Sequence, residues 1–324
     1  MYLNKIFCCD ALKGFKKLPD NSINSIVTSP PYYSLRSYLN DNHPDKKLEI
    51  GLENTPQHYI DNLVRVFREG RRVLKSDGNL WIVIGDSYAN FKNKGSEKIR
   101  FQSIHKKSRG EPHTVAPNRN GSVLKELGLK DKDLIGIPWM LALALREDGW
   151  WLRQTLIWHK PSCMPESAKD RCTNNFEYIL LLTKNKNYFF DYKAIEEDAV
   201  YPAGTKAAKG SVQRLNKKGV NAVSTKYKIY TGRRRKRSVW SVNPSKEKIC
   251  AEHTAVFPQK LIEPMILAGC PQHGIVCDPF AGLFTVGIVC HKLNRKYVLF
   301  ELNPEYCKIG EKRLNTLQTE FQYV

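Results

Sequence analysis

Two hydrophobic periods alternate along the chain. Ile6, Phe7 and Cys8 read as a short strand, Ala11 to Leu18 as a short helix, and "NSINSIV" leads into a second strand ending at Thr28. Residues 56–74 place Tyr59, Leu63, Val66, Phe67 and Val73 on one helical face, with Thr55 as cap and Pro56 at the first helical position. "DGNLWIVIGD" predicts a turn followed by a buried strand from Leu80 to Ile84. A helix over 138–148 and strands over 151–160 and 177–185 follow. The C-terminal part predicts a helix at 258–268, a strand at Ile275–Cys277, a helix at 285–293 and a strand at Tyr297–Phe300. Strands alternating with helices define an α/β chain with a mostly parallel, doubly wound sheet.

Two stretches break this rhythm. Residues 88–125 are polar and basic and predict a long loop of a length usually kept for function. From Asp198 to about residue 249 the chain is rich in Lys, Arg, Gly, Ser and Asn with scattered Tyr and Trp, which marks an inserted module. The expected organisation is therefore residues 1–197, a module at 198–249, and residues 250–324 rejoining the first part.

Charge sharpens that division. The chain carries 52 Lys+Arg against 32 Asp+Glu, a net +20. Residues 92–109 contribute +6 and residues 201–248 contribute +13, so 19 of the 20 excess charges lie there. A polyanion, above all nucleic acid, is the partner this distribution favours. Hydrophobic residues make up 41% of the chain, enough to bury a substantial core. Nine cysteines at irregular spacing, without a Cys-x-x-Cys pair, point to reduced thiols in a cytosol rather than to disulfides or a metal site. The first residues lack a signal-peptide pattern and no apolar run approaches membrane-spanning length, so a soluble, cytoplasmic protein is expected.

Two segments carry candidate chemistry. In "IVTSPPYYSLRSY" the second strand runs into Ser29-Pro30-Pro31-Tyr32. The prolines fix their own φ and supply no donors, leaving a rigid corner in which acceptors outnumber N–H groups. Such a corner suits a planar group bearing an NH2: Tyr32 stacks on it while the Ser29 hydroxyl and a carbonyl accept its protons. A plain strand-ending turn is the alternative reading of these four residues. Further on, "DPFAGLFTVG" (278–287) follows a strand and opens a helix, with Glu301 at the next strand end, 19 residues after Gly282. An acid, a small-residue turn and a second acid at that spacing are how nucleotide-like cofactors are held, the second acid on a ribose hydroxyl pair. An ordinary βαβ crossover would look similar.

Taken together and in order, "LPDNSINSIVTSPPY", "TSPPYYSLRSY", "RRVLKSDGNLWIVIGDSY", "HTAVFPQKLIEPMILAGC" and "DPFAGLFTVG…FELNPEY" resemble the amino-group DNA methyltransferases of bacterial modification systems. The likeness is to the permuted β arrangement, in which the catalytic motif precedes the cofactor motif, and it covers roughly residues 1–90, 150–192 and 250–315. The resemblance implies a Rossmann-like methyltransferase fold, S-adenosylmethionine as cofactor, and double-stranded DNA as substrate. It allows a cognate restriction endonuclease as partner, leaves monomer or homodimer open, and implies a bacterial or phage-encoded enzyme acting at the nucleoid.

Carried over by position, Ser29, Pro30, Pro31 and Tyr32 form the pocket for a flipped base. Asp278, Phe280, Gly282 and Thr285 surround the methionine part of the cofactor, Glu301 takes the ribose hydroxyls, and Asp10 accepts from the adenine amino group. Thr28 and Asn303 are also expected to bind the cofactor, and His253, Thr254 and Phe257 belong to the segment that closes over it. Asp86 faces the same sheet edge. The candidate DNA contacts are Arg36, Lys106, Lys107, Arg233, Arg234, Arg235, Lys236 and Arg237, with the module reading the target sequence. No metal is expected, because Cys and His show no ligand spacing. Ser-Pro-Pro-Tyr accompanies cytosine more often than adenine in this family and favours N4 of cytosine, with N6 of adenine as alternative; RNA or protein methylation is a further option. One departure stands out: the cofactor turn reads Leu283-Phe284-Thr285 where a small residue is expected. Phe284 brings bulk to a tight turn, so either the loop is re-formed or cofactor binding is weak, and a DNA-binding relative without activity is the reading that follows from the second case.

Overall fold

A computed structural model describes residues 3–91, 121–163, 165–209, 213–215, 221–223, 226–245 and 257–320. The chain divides into two compact units, Met1–Phe190 with Ser238–Val324, and Asp191–Arg237.

The larger unit begins with β1 (Lys5–Cys8), α1 (Ala11–Lys16), β2 (Ile23–Thr28), α2 (Pro56–Val73), β3 (Leu74–Ile84), α3 (Gly121–Glu126), α4 (Ile137–Glu147), β4 (Trp151–His159) and β5 (Phe176–Thr183). The smaller unit holds β6 (Glu197–Asp198), β7 (Lys206–Lys209), β8 (Gln213–Leu215), β9 (Asn221–Val223), β10 (Lys226–Ile229) and β11 (Arg233–Arg234). The larger unit is completed by β12 (Val239–Ser241), α5 (Gln259–Gly269), β13 (Ile275–Asp278), α6 (Thr285–Lys292), β14 (Lys296–Glu301) and α7 (Pro304–Glu320).

Its eight strands form one sheet in the order β1-β14-β13-β2-β3-β5-β4-β12. The run from β1 to β3 is parallel, β5 pairs antiparallel with both β3 and β4, and β12 lies parallel to β4. The doubly wound, mostly parallel sheet read from the sequence is therefore present. Successive β2 side chains face opposite sides: Ile26 meets the α2 side at Gly70, whereas Ser25 meets the α5 side at Gly269. With helices on both faces, all six residues of β2 are buried, its polar Asn24, Ser25 and Thr28 included.

Helix α2 forms as its pattern predicts. Thr55 caps it by accepting from the His58 N–H at 3.1 Å, and Tyr59, Leu63, Val66, Phe67 and Val73 are all buried. Two local expectations change. Asp77-Gly78 does not interrupt the chain as a turn: β3 runs through it from Leu74, and the misfit is absorbed by a register shift opposite Ile23/Ser25. Residues 121–126, expected within a loop, form α3, whose Leu124 is buried and carries the Leu129 N–H on its carbonyl.

The smaller unit holds three antiparallel pairs nested in chain order, β6 with β11, β7 with β10 and β8 with β9.

Candidate active site

The sheet has one point where chain connections diverge. From β2 the chain crosses to β3 on one side, and from β13 to β14 on the other, while β2 and β13 are neighbours. A crevice opens beyond the C-terminal ends of strands at such a point. Here it is a cavity of about 580 Å³, lined among others by Asp10, Ser29, Tyr32, Asp278, Gly282 and Glu301. That volume falls within the range of small-molecule sites.

Asp278 closes β13 and is 2% exposed. Its Oδ1 accepts the Thr28 hydroxyl at 2.6 Å and the Phe280 N–H at 3.1 Å, a link between residues 250 apart in sequence. Thr28 does not line the cavity; its place is behind Asp278, which it orients. Glu301 ends β14 and accepts the Gly282 N–H on one oxygen and the Asn303 N–H on the other, both at 2.8 Å. Each oxygen keeps a lone pair for a ligand hydroxyl. Asn303 donates to the Tyr38 carbonyl and accepts the Glu305 N–H, so its side chain ties a loop down and caps α7. Asp10 caps α1 with Oδ1, and its buried Oδ2 has no hydrogen-bond partner, although the Lys13 ammonium lies 3.5 Å away. An orphaned buried acceptor on a cavity wall fits a ligand donor. Burial pushes the Asp278 carboxyl up to about 7, and burial, opposed by backbone donors and reinforced by Asp278, does the same to Glu301. Three acids in one crevice suit a ligand with positive charge and hydroxyl and amino donors, as S-adenosylmethionine has.

Phe284 does not obstruct this crevice. It adopts the left-handed conformation at φ 64° that the turn demands and holds the position before α6. Its ring is fully buried and points behind the turn against Gly310 of α7, where a Cβ would come within 2.3 Å of the ring. The turn is thus re-formed around an aromatic residue, at a backbone cost of roughly 1–2 kcal/mol. Gly282, Leu283, Thr285 and Val286 face the cavity, together with Phe280 and Phe257.

The proline corner lies on the adjoining wall. The Tyr59 hydroxyl donates to the Pro31 carbonyl at 2.7 Å. Among the described residues no hydrogen bond reaches the Ser29 or Pro30 carbonyl, so the expected surplus of acceptors is in place. The Tyr32 ring lies on Gly85, where a Cβ would approach to 2.7 Å; only glycine admits the ring there. The phenol donates to Glu177 Oε2 at 2.6 Å. Burial first, then Glu177, raises the phenol well above its usual range. Lys160 pairs with the other Glu177 oxygen and sits 4.4 Å over the Trp158 ring. Glu177, Lys160 and Trp158 all line the cavity, and the sequence does not single them out. "WHK" at a strand end is their only trace in it.

Other candidates fall elsewhere. Asp86 does not line the cavity; it accepts the N–H groups of Ser87, Gly136 and Ile137 and fixes the start of α4. Arg36 belongs to the cavity wall with Lys47 and Arg65. Lys106, Lys107, His253 and Thr254 lie outside the described residues. In the smaller unit, Arg233 pairs with Asp198 at 2.5 Å, Arg234 pairs with Glu197 at 2.9 Å, and Arg235 lies 4.7 Å over the Tyr192 ring. Exposed pairs of this kind are worth about 0–1 kcal/mol, so phosphate can replace the acids. Lys236 and Arg237 complete the run at the end of that unit.

A doubly wound sheet with an acid-lined crevice at its switch point is the architecture of an S-adenosylmethionine-dependent methyltransferase. The family model for N6/N4 amino-group DNA methylases matches residues 23–312, and the chain belongs to that family, whose cofactor is S-adenosylmethionine and whose substrate is DNA. It is 40% identical over 309 residues to the type II methyltransferase M.Cfr9I of Citrobacter freundii, covering 95% of this chain and 87% of that protein. It is 38% identical over 310 residues to the type II methyltransferase M.SmaI of Serratia marcescens, covering 96% and 90%. The fold is shared with the cytosine-N4-specific PvuII DNA methyltransferase, at TM-score 0.60, 17% identity and coverage of 95% and 84%. It is shared also with a putative DNA modification methylase of Thermus thermophilus in complex with S-adenosyl-L-methionine, at TM-score 0.54, 20% identity and coverage of 96% and 92%. The chain is accordingly an amino-group DNA methyltransferase of the kind found in restriction–modification systems.

A cofactor held by Asp278 and Glu301 is expected to bind in a pH-dependent way, because burial raises both carboxyls. A cationic ligand favours their ionised forms, so affinity is expected to rise with pH up to about 7 and to fall below it, by at most about tenfold per pH unit for each proton released. In the free chain both groups hold protons more tightly than when unfolded, so their contribution to stability declines as pH rises from about 4 to about 7. Titration calorimetry at pH 6 and pH 8 checks the first statement, and a pH-independent affinity would refute it.

Proposed function

We propose that this chain methylates the exocyclic N4 of cytosine in duplex DNA, with the base rotated out of the helix into the Ser29–Tyr32 corner. The observation that carries the reading is the acceptor-lined corner, with the Tyr32 ring fixed on Gly85, sharing one cavity with Asp278 and Glu301. Bound S-adenosylmethionine supplies an already activated methyl group, so the chain has to orient and activate the amine. An exocyclic amine is a weak nucleophile because its lone pair is delocalised into the ring. Accepting both of its N–H bonds, on Ser29 Oγ and a proline-corner carbonyl, favours a pyramidal nitrogen whose lone pair is free to attack. Rotating the base out costs a few kcal/mol, offset by stacking on Tyr32 and by phosphate contacts. Asp278, Phe280, Gly282 and Thr285 would hold the methionine end of the cofactor, Glu301 its ribose and Asp10 its adenine.

The smaller unit, Asp191–Arg237, is the target-reading module in this proposal, with its Arg and Lys run on phosphates and base edges. Replacing Arg233, Arg234, Arg235, Lys236 and Arg237 by glutamine is expected to flatten the salt dependence of DNA binding by about 2–4 units of log–log slope. An unchanged slope would remove these residues from the interface.

Nucleoside mass spectrometry of mixed-sequence duplex DNA incubated with the protein and S-adenosylmethionine tests the base assignment. N4-methylcytosine supports it. N6-methyladenine keeps the corner and transfers the specificity to adenine, which a serine hydroxyl also serves.

A further inference from the structure

The smaller unit leaves apolar side chains in water amid a dense positive charge. Residues 199–237 hold twelve Lys and Arg and no acid. Within them Val200, Tyr201 and Ile229 are 74%, 54% and 63% exposed. Single apolar residues scattered over a surface are ordinary, but these adjoin one aromatic pair. The Tyr201 and Tyr230 rings lie 5.1 Å apart with their planes tilted by 38°, and Val200 and Ile229 are their neighbours in the chain. The backbone beneath the pair is braced. Tyr230 donates its N–H to the Thr205 carbonyl at 3.0 Å and accepts the Gly204 N–H at 2.9 Å. Ala199 donates to the Gly232 carbonyl at 2.9 Å, next to the β6–β11 pairing. Pro202, whose carbonyl accepts the Thr205 N–H, and Gly204, at φ 84°, form the turn that follows Tyr201. An exposed ring is thus held on a hydrogen-bonded ribbon, with a second ring behind it.

We propose that Tyr201, backed by Tyr230 and flanked by Val200 and Ile229, is an apolar contact with duplex DNA, its ring set against a base at an opened base-pair step. The inference rests on reading Asp191–Arg237 as the target-reading module. Charge selects the occupant. A stretch with twelve cations and no acid repels a second copy of itself and attracts a polyanion. The phosphates of DNA answer the cations, and the faces of its bases are the apolar surface that this polyanion offers. Apolar side chains wedge between base steps in proteins that bend DNA, and an aromatic ring stacks on any base. Arg233, Arg234 and Arg235 follow Tyr230 within five residues, so phosphate and base contacts come from one stretch of chain. The two kinds of contact differ in one measurable respect. A cation on a phosphate releases counterions and weakens with salt, whereas a ring on a base releases none.

Titration of the full chain with mixed-sequence duplex DNA over a series of salt concentrations separates them. Tyr201→Ala combined with Ile229→Ser is expected to bind about tenfold or more weakly at every salt concentration, with the log–log slope of wild type. Both positions are exposed, so the fold is expected to tolerate the change. Tyr201→Phe keeps the ring and is expected to bind within about twofold of wild type. Wild-type affinity in the double variant overturns the proposal. So does a double variant whose slope also falls, since the lost contacts would then be ionic. A Tyr201→Phe protein as weak as Tyr201→Ala overturns it too, because the hydroxyl and not the ring would then make the contact. Sedimentation velocity supplies the remaining outcome: a wild-type dimer that the double variant turns into a monomer would assign the patch to a second copy. Failure of the underlying module reading looks different. The glutamine variant of Arg233, Arg234, Arg235, Lys236 and Arg237 then keeps the wild-type salt slope as well.

Discussion

Replacing Tyr32 by alanine is expected to lower single-turnover methyl transfer by about a thousandfold or more while leaving S-adenosylmethionine affinity within about twofold. Loss of the ring removes roughly 1–3 kcal/mol of base stacking. A base free to shift by about 1 Å loses a further factor of about 100 through misorientation. The cofactor contacts proposed for Asp278, Glu301 and Asp10 do not pass through Tyr32, and the Lys160–Glu177 pair stays intact, so the cofactor half of the cavity is preserved. Rapid-quench kinetics with calorimetric titration of the cofactor measure both quantities. Normal turnover in Tyr32→Ala would eliminate the stacking role, and a parallel collapse of cofactor affinity would mean that the two halves of the cavity are not independent.

The parts of the site that are legible in the sequence are those in which backbone chemistry fixes the residue type. Pro30 and Pro31 remove donors wherever they stand, and an acid before a small-residue turn also suits an ordinary βαβ crossover, so the corner and the Asp278–Glu301 pair become distinctive only when read in order with the other segments. The core strands are legible for a related reason: a strand buried on both faces, such as the Leu80–Ile84 part of β3, reads as a continuous apolar run. What cannot be read is anything that depends on which strands become neighbours. Glu177 is an ordinary acid at the start of an apolar strand until β5 inserts antiparallel between β3 and β4 and brings it to Tyr32. Asp86 looks like a pocket residue because it follows a strand, but three backbone N–H groups around the start of α4 claim it. Thr28 reads as a neighbour of the cofactor, and it works one layer back through Asp278. The strand pairs of the smaller unit are hidden because each strand is only two to four residues long, too short for a period to stand out.

Phe284 shows the same limit from the opposite side, since its bulk is tolerated only because of a residue 26 positions away, Gly310. Gly310→Ala is therefore expected to be among the most disruptive small substitutions in the protein. The added Cβ would lie 2.3 Å from Phe284 Cδ2, and the ring, fully buried, has no exposed side to yield toward. Overpacking at such a position costs about 3 kcal/mol or more. The ring's remaining escape is to push the 281–285 turn into the crevice, where the Gly282 N–H holds Glu301 at 2.8 Å. Cofactor affinity is expected to fall with stability, by about tenfold or more, the equivalent of roughly 1.4 kcal/mol lost from that turn. Adding Phe284→Leu to Gly310→Ala returns space behind the turn and is expected to restore part of both losses, a coupling that two independent lesions would not show. Denaturant unfolding and calorimetry on the two single variants and the double variant measure it. Unchanged stability in Gly310→Ala would show that Phe284 has room to move and that the re-formed turn does not depend on α7.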